Sequence, residues 1–417
     1  MSTLKQCELL WHADFVASFF PCSQRLASRM WIGDAHPTGF GTFRHTPQFF
    51  GKDEIREPML DDDPLAVIAQ EAPAISDGAA ISLMKVRYGL DVIVRSLVSE
   101  RDQNFRMKAA DGKRFVLKIA NSAEDPFVTD FQIQALLHIE KQVRDQNIPV
   151  TVPKVVPTVD GDVSFPLEID GVDHVTRVVT FVEGETLADG TPSPALARDS
   201  GACLADLGKA LKGFEHPGSH HSLLWDLQQA SGLRQLVQYV RDPLAADAVT
   251  AALDDFEKFV QPVLPTLRSQ VIHSDLNPDN LVIRSDDSDR VAGIIDFGDM
   301  LYAPLIADVA IGSSYHRVAD SDPLRLMCEF VAGYHSVTPL ERQEIDILFE
   351  LIQARICASI TILDWRASVR GSDDPYLAGL EDAEHSTGKA LIEMREVPRE
   401  YAMQVFRQVC ASVDESG

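Results

Sequence analysis

The chain has 417 residues, 45% of them hydrophobic, which exceeds the usual ~100–200 residues of one compact domain and predicts two cores. Acidic residues outnumber basic ones 63 to 38, for a formal charge of −25; that surplus repels phosphate backbones and anionic lipid, which argues against nucleic acid and membrane surfaces as partners. The six cysteines are scattered with no CxxC spacing, so neither a disulfide framework nor a zinc site is indicated, and a cytoplasmic setting is expected.

In chain order, residues 1–60 mix aromatics (Trp11, Phe15, Phe19, Phe20, Trp31) with Gly, Pro and Arg and show no sustained period. The acidic run Asp61-Asp62-Asp63-Pro64 reads as a linker. Regular structure is expected from Ser76. Ile81, Leu83, Met84 and Leu90 suit a short amphipathic helix, and Asp91 to Val98 alternates as a strand does. Asn104 to Lys108, the turn Asp111-Gly112 and Arg114 to Ile119 predict a hairpin, followed by a helix over Phe127 to Val143 and a strand over Val175 to Val182. Beyond Pro192 the pattern is helical, broken by one strand-rich island from Val271 to Phe297.

That island carries the chemistry. Asp275 is followed five residues later by Asn280, and then by Asp296-Phe297-Gly298 on the far side of a predicted hairpin. This is the spacing of a phosphoryl-transfer catalytic loop and metal site. A phosphoryl group in flight needs a carboxylate to hold the acceptor hydroxyl in line, and oxygen ligands to fix Mg²⁺ between the nucleotide's phosphates. Asp275 supplies the first, Asn280 and Asp296 the second, and His273 braces the loop. A lone Asp-Phe-Gly is common in turns, so the joint spacing carries the reading. Pro304 opens a helix (Leu305, Ile306, Val309, Ala310) only a few residues after Asp296, leaving no room for a peptide platform; the acceptor is therefore a small molecule. Asp308 on that helix is expected to hydrogen-bond the catalytic loop. His216, His220 and His221 lie in a Pro-Gly-containing surface turn and are not read as a metal site.

On these motifs, and on Pro304-Leu-Ile-Ala-Asp308-Val-Ala, the segment from about Leu83 to about Ile392 resembles the aminoglycoside phosphotransferase or choline kinase-like superfamily. Within it the segment looks closest to the hydroxylysine kinase group and its bacterial relatives. Where Ser274 stands, such relatives usually have Gly. The resemblance implies an α+β, protein kinase-like two-lobed fold, with a small antiparallel-sheet N-lobe and a mostly helical C-lobe. With the aperiodic start read as a poorly ordered or loosely docked arm and linker (1–75), the chain is expected to divide further into an N-lobe (76–182) and a C-lobe (183–417). The resemblance implies ATP or GTP as donor, with Mg²⁺, and a small hydroxylated acceptor, often amine-bearing: hydroxylysine, with homoserine, ethanolamine or choline-like compounds and aminoglycosides as alternatives. A catalytically inactive nucleotide-binding module is the alternative of another class; Lys118, Asp275, Asn280 and Asp296 are all present, which weighs against it.

The resemblance also places the donor site. Lys118 ends an apolar strand, as does the Lys that neutralises nucleotide phosphates. Gln132 stands where relatives carry a Glu that pairs with it. Ser99 and Asn104 bound a phosphate-covering loop without glycines, and Thr180 and Val182 belong to the hinge whose backbone reads the base. The acceptor pocket is expected among Trp225-Asp226, Arg355, Ser359 and Trp365.

Overall fold

A computed structural model describes residues 70, 72–99, 101–317, 322–371, 374, 377 and 381–416. The arm expected over residues 1–60, and the acidic linker after it, lie outside the described residues.

The N-lobe opens with α1 (Asp77–Tyr88), capped by Ser76, whose hydroxyl accepts from the Ala79 amide at 3.2 Å. Its buried residues are Ala80, Met84 and Tyr88, one stripe at intervals of four, while Ile81 faces solvent. Strands β1 (Val92–Leu97), β2 (Gln103–Ala109) and β3 (Arg114–Ile119) form an antiparallel meander. In β2 and β3 the inward residues Phe105, Met107, Phe115, Leu117 and Ile119 occupy every second position and close over α1.

Helix α2 (Pro126–Gln146) starts on the Asp125 carboxylate, which accepts from Phe127 N at 2.8 Å. The sheet is completed by β4 (Val155–Val156), β5 (Phe165–Ile169) and β6 (Val172–Thr180), in the order β1-β2-β3-β6-β4 with β5 also paired to β6. Strand β6 begins at Val172 rather than at the expected Val175, because it forms a hairpin with β5. The hairpin turns at Asp170 (φ 51°) and Gly171 (φ 83°), the pair of left-handed residues that the twist of a tight hairpin demands.

The C-lobe is helical around one short sheet and one strand pair. Strand β7 (Glu185–Thr186) joins the sheet β10-β9-β7, and helices α3 (Pro194–Leu211) and α4 (Pro243–Asp255) flank a run of 3₁₀ turns over Leu227–Tyr239. Strand β8 (Ser269–Ile272) enters the catalytic loop. Strand β9 (Leu281–Arg284) leaves it, and β10 (Asp287–Ile294) returns. Strand β10 starts inside the polar stretch Ser285 to Arg290, where the sequence suggests the hairpin's turn, and register irregularities between Asp287 and Gly293 absorb the mismatch. Strand β11 (Leu301–Pro304) pairs with β8 and runs into α5 (Leu305–Tyr315).

Helices α6 (Arg325–Val337), α7 (Arg342–Ile345), α8 (Leu348–Arg370), α9 (Glu381–Arg395) and α10 (Arg399–Ser416) complete the lobe. Helix α8 is buried on nearly every side, from Leu348 through Arg366, and forms its axis. The fold is thus a two-lobed α+β architecture with an antiparallel N-lobe sheet and a helical C-lobe. Among the described residues no helix is long and apolar enough to cross a membrane.

Candidate active site

The loop between β8 and β9 is held by one carboxylate. Asp308, in the first turn of α5, accepts from the His273 amide at 3.1 Å and the Ser274 amide at 2.8 Å. Those two bonds fix a tight turn in which Ser274 is left-handed, with φ 64°. His273 is fully buried. Its Nε2 donates to the Ile295 carbonyl at 3.1 Å, its Nδ1 accepts from the Asp275 amide at 3.3 Å, and its ring meets Phe297 edge-on at 5.0 Å. The imidazole therefore ties the loop to the end of β10 through both nitrogens.

Asp275 projects from this braced turn. Its Oδ2 accepts from Asn277 Nδ2 at 2.9 Å and Asn280 Nδ2 at 2.7 Å, and its Oδ1 from Arg355 Nη2 at 3.1 Å. Burial, with Asp299 and Asp296 close by, pushes the Asp275 carboxyl well above the usual carboxylate range, against the opposing pull of Arg355. Asn280 also donates to the Asp275 carbonyl at 2.9 Å, so its amide nitrogen is committed and its Oδ1 is turned away from Asp275.

Asp296, at a left-handed φ of 58°, meets the N-lobe at Lys118 of β3. Its Oδ1 accepts from Lys118 Nζ at 3.0 Å and from the Gly298 amide at 3.2 Å. The Lys118 ammonium, outweighing partial desolvation, holds the Asp296 carboxyl down at about 2. A second ion pair between the lobes joins Arg101, in the loop between β1 and β2, to Asp299.

The structure brings Lys118, His273, Asp275, Asn280 and Asp296 to one cleft. The partner of Lys118 is Asp296. Gln132, on α2, accepts from Arg177 Nη2 at 2.6 Å and donates to the Gly298 carbonyl at 3.2 Å, so it anchors the turn after Asp296. Asn104 sits on β2, directly opposite Lys118 on β3, with its buried Oδ1 lacking a partner among the described residues. Ser99 follows β1 at the start of the covering loop. In the hinge, the Thr180 amide is taken by the Lys154 carbonyl and the Phe181 amide by the Arg114 carbonyl; Val182 comes next.

Of the three histidines of the Pro-Gly turn, His216 bonds Asp130 at 3.2 Å, His221 bonds the Gly218 carbonyl and His220 packs on Tyr302. Among the described residues no group of three or more His, Cys, Asp or Glu side chains could hold a metal ion. Trp225 packs against Arg355, while Asp226 caps the 3₁₀ run by accepting from Gln228 N at 2.9 Å, its carboxyl raised by burial to about 6. Ser359 bonds back to the Arg355 carbonyl and Trp365 is buried. The contact that motif spacing does not reach is Arg355 to Asp275, 80 residues away. Arg101 carries a sequence signal, a lone cation in an otherwise polar and acidic covering loop.

Comparison with known proteins agrees with this geometry. The model of the phosphotransferase enzyme family (APH) matches residues 94–345, more than half of the chain. Hydroxylysine kinase of Danio rerio is 29% identical over 319 residues, covering 74% of this chain and 89% of that protein. The Bos taurus hydroxylysine kinase is 28% identical over 327 residues, covering 73% and 86%. Among solved structures, a microcompartment-associated aminopropanol kinase aligns with a TM-score of 0.56 at 18% identity, covering 81% of this chain and 98% of that one. Spectinomycin phosphotransferase in complex with ADP and spectinomycin aligns at 0.53 and 16% identity, covering 81% and 99%; at such identities the likeness speaks for the fold. The braced loop, the cleft and the matched span agree: the chain belongs to the phosphotransferase enzyme family.

Proposed function

We propose that the protein is a small-molecule kinase that transfers the γ-phosphoryl group of ATP or GTP to the hydroxyl of an amine-bearing acceptor of the hydroxylysine type. The observation that carries this reading is the convergence of Asp275, Asn280 and Asp296 on one cleft, each in a defined ionic or hydrogen-bonding state. Two relatives named as hydroxylysine kinases, matched over 89% and 86% of their length, support the acceptor class.

The donor set suits a hard divalent cation. Asn280 Oδ1 and Asp296 Oδ2 have no hydrogen-bond partner among the described residues, and Asp296 is held ionised. These two oxygens would hold Mg²⁺, which prefers oxygen ligands and, when bound, neutralises charge on the nucleotide phosphates. Lys118 would turn from Asp296 toward the phosphates, Ser99 and Asn104 would cover them, and the backbone at Thr180 and Val182 would face the base. Gln132 keeps the Gly298 turn in place.

Asp275 orients the acceptor hydroxyl. An alcohol is far too weak an acid for a carboxylate to deprotonate beforehand, so Asp275 accepts the proton late, as the bond to phosphorus forms. His273 positions it through the amide at 3.3 Å.

The test pairs binding with turnover. Asp275→Asn keeps the shape and lowers kcat by about 10²–10⁴-fold, with nucleotide affinity measured by calorimetry nearly unchanged. A parallel fall in both would make Asp275 a structural brace. Absence of turnover in the wild type, over a panel of hydroxylysine, homoserine, ethanolamine, choline and aminoglycosides with both nucleotides, would favour an inactive nucleotide-binding module.

A further inference from the structure

Among the described residues, Arg355 is an incompletely satisfied cation in direct contact with Asp275. It lies on the fully buried stretch of α8 and is 3% exposed. Among the described residues its Nη2 makes both of the side chain's hydrogen bonds, to Asp275 Oδ1 at 3.1 Å and to the Tyr315 hydroxyl at 2.9 Å. Nε and Nη1 are buried with no partner among the described residues. A guanidinium binds oxyanions through two forks, Nε with Nη2 and Nη1 with Nη2. In both forks the Nη2 member is engaged and the other is vacant.

The surroundings do not fill the vacancies. The guanidinium carbon lies 4.6 Å from the centre of the Trp225 ring and 5.6 Å from that of Tyr315. The ring faces favour the charge, and the Tyr315 hydroxyl serves Nη2, but neither aromatic supplies an oxygen acceptor to Nε or Nη1. Buried N–H groups without acceptors are costly and uncommon in folded proteins, and those of Arg355 are the ones whose neighbour, Asp275, meets the acceptor. In a chain of net charge −25, an incompletely paired cation beside Asp275 is suited to an anionic group on a ligand.

We propose that Arg355, flanked by Trp225 and Tyr315, receives the carboxylate of an amino-acid acceptor while Asp275 holds its hydroxyl. The assignment rests on the kinase reading above and narrows its acceptor from amino alcohols in general to hydroxy amino acids. Allowing one hydrogen-bond length on each side of the guanidinium, the acceptor carboxylate and the Asp275 carboxylate stand about 5–8 Å apart. A chain of four to six carbons carrying a carboxylate at one end and a hydroxyl toward the other spans that gap. A carboxylate oxygen on Nε or Nη1, with its twin on Nη2, completes one fork by displacing either the Tyr315 hydroxyl or the Asp275 oxygen. Displacement of the Asp275 oxygen would release that carboxylate to the acceptor hydroxyl. Arg355 is thus a substrate-binding and specificity-determining residue.

The experiment measures kcat/KM for three acceptors: 5-hydroxylysine, its carboxamide, and its decarboxylated counterpart 1,5-diaminopentan-2-ol. Each is assayed with the full-length wild type and with Arg355→Gln and Arg355→Lys. In the wild type, removing the carboxylate should lower kcat/KM by about 10–100-fold, the worth of a charge-assisted pair of hydrogen bonds, chiefly through KM. In Arg355→Gln the ratio between the acid and its carboxylate-free counterparts should collapse toward one, with Arg355→Lys intermediate because it restores charge without the fork.

A merely structural Arg355 would lower all three acceptors together and leave the ratio intact, and that result overturns the assignment. Equal use of all three by the wild type overturns it too, while leaving the kinase reading in place. Nucleotide binding without turnover of any acceptor overturns both. If Arg355→Gln does not fold, wild-type calorimetry decides: 5-hydroxylysine must bind at least ten-fold tighter than 1,5-diaminopentan-2-ol, and equal affinities reject the proposal.

Discussion

Replacing Asp308 tests whether one buried carboxylate sets the geometry of the whole catalytic loop. Asp308 is 5% exposed, and its two oxygens are the acceptors of the His273 and Ser274 amides at 3.1 and 2.8 Å. Asp308→Ala leaves both amides buried and unpaired, at about 1–3 kcal/mol each, or about 2–6 kcal/mol in all. Release of the left-handed turn at Ser274 recovers about 1 kcal/mol, so the loss should settle at about 1–5 kcal/mol. Asp275 is the next residue and moves with the turn. A displacement of about 1 Å costs about 10²-fold in rate. Urea denaturation should show the midpoint falling with an unchanged slope, and steady-state kinetics should show kcat falling about 10²-fold while nucleotide affinity stays within a few-fold. Asp308→Asn retains one acceptor oxygen but sets an NH₂ group against the second amide, so it should fall between. An Asp308→Ala protein within about 0.5 kcal/mol of wild type, with normal kcat, would refute the reasoning, because the loop would then hold itself.

Two further substitutions make the same chemical change with opposite results. A Cβ added at Gly201, on α3, would sit 1.9 Å from the Phe330 carbonyl oxygen of α6, so Gly201→Ala forces the helices apart and should cost at least about 3 kcal/mol in urea denaturation. At Gly388, on α9, the added carbon would lie 3.4 Å from Ala245 Cβ, and Gly388→Ala should gain about 0.5–1 kcal/mol from helix propensity; equal effects at the two sites would refute the helix-contact geometry. A third prediction concerns acid. Burial against Phe330 pushes His316 from 6.5 down to about 4, so the folded state resists protonation that the unfolded chain accepts. Stability is therefore full above pH ~6.5 and is lost as pH falls toward 4, by about 3 kcal/mol in total. His316→Phe should flatten that part of the pH–stability profile, and parallel profiles for mutant and wild type would reject the assignment.

The parts of this fold that could be read from the sequence are those where burial leaves a period. Strands β2 and β3 alternate because one face meets α1, and Asp111-Gly112 marks their turn. Strands β4 and β7 have two residues each, too few to carry a period, and both exist only because a longer strand lies beside them. The β5-β6 hairpin had a local signal in Asp170-Gly171, masked by the solvent-exposed start of β6 at Val172 and Asp173, which leaves no burial period there. Within the site, Asp275, Asn280 and Asp296 lie close enough in sequence for spacing to suggest their convergence. The capture of Gln132 by Arg177 depends on which side chains of β6 and α2 face one another, and the Arg355 contact on how α8 threads the lobe. Both are tertiary facts with no local signature. Helix α8 also hides its orientation, since a helix buried all round has no polar stripe to show which way Arg355 points.

That same burial bears on how acceptor preference could be redirected. Every turn of α8 from Leu348 to Arg366 is committed to the lobe's interior, so altering its backbone position to move Arg355 would disturb neighbours on all sides at once. Trp225, by contrast, is held in a connecting stretch beside a 3₁₀ run rather than in the helical axis. Directed variation should therefore find new acceptors more readily in the segment around Trp225 than in the helix opposite it. The arginine would remain a fixed point, and the aromatic wall facing it would be the adjustable part of the pocket.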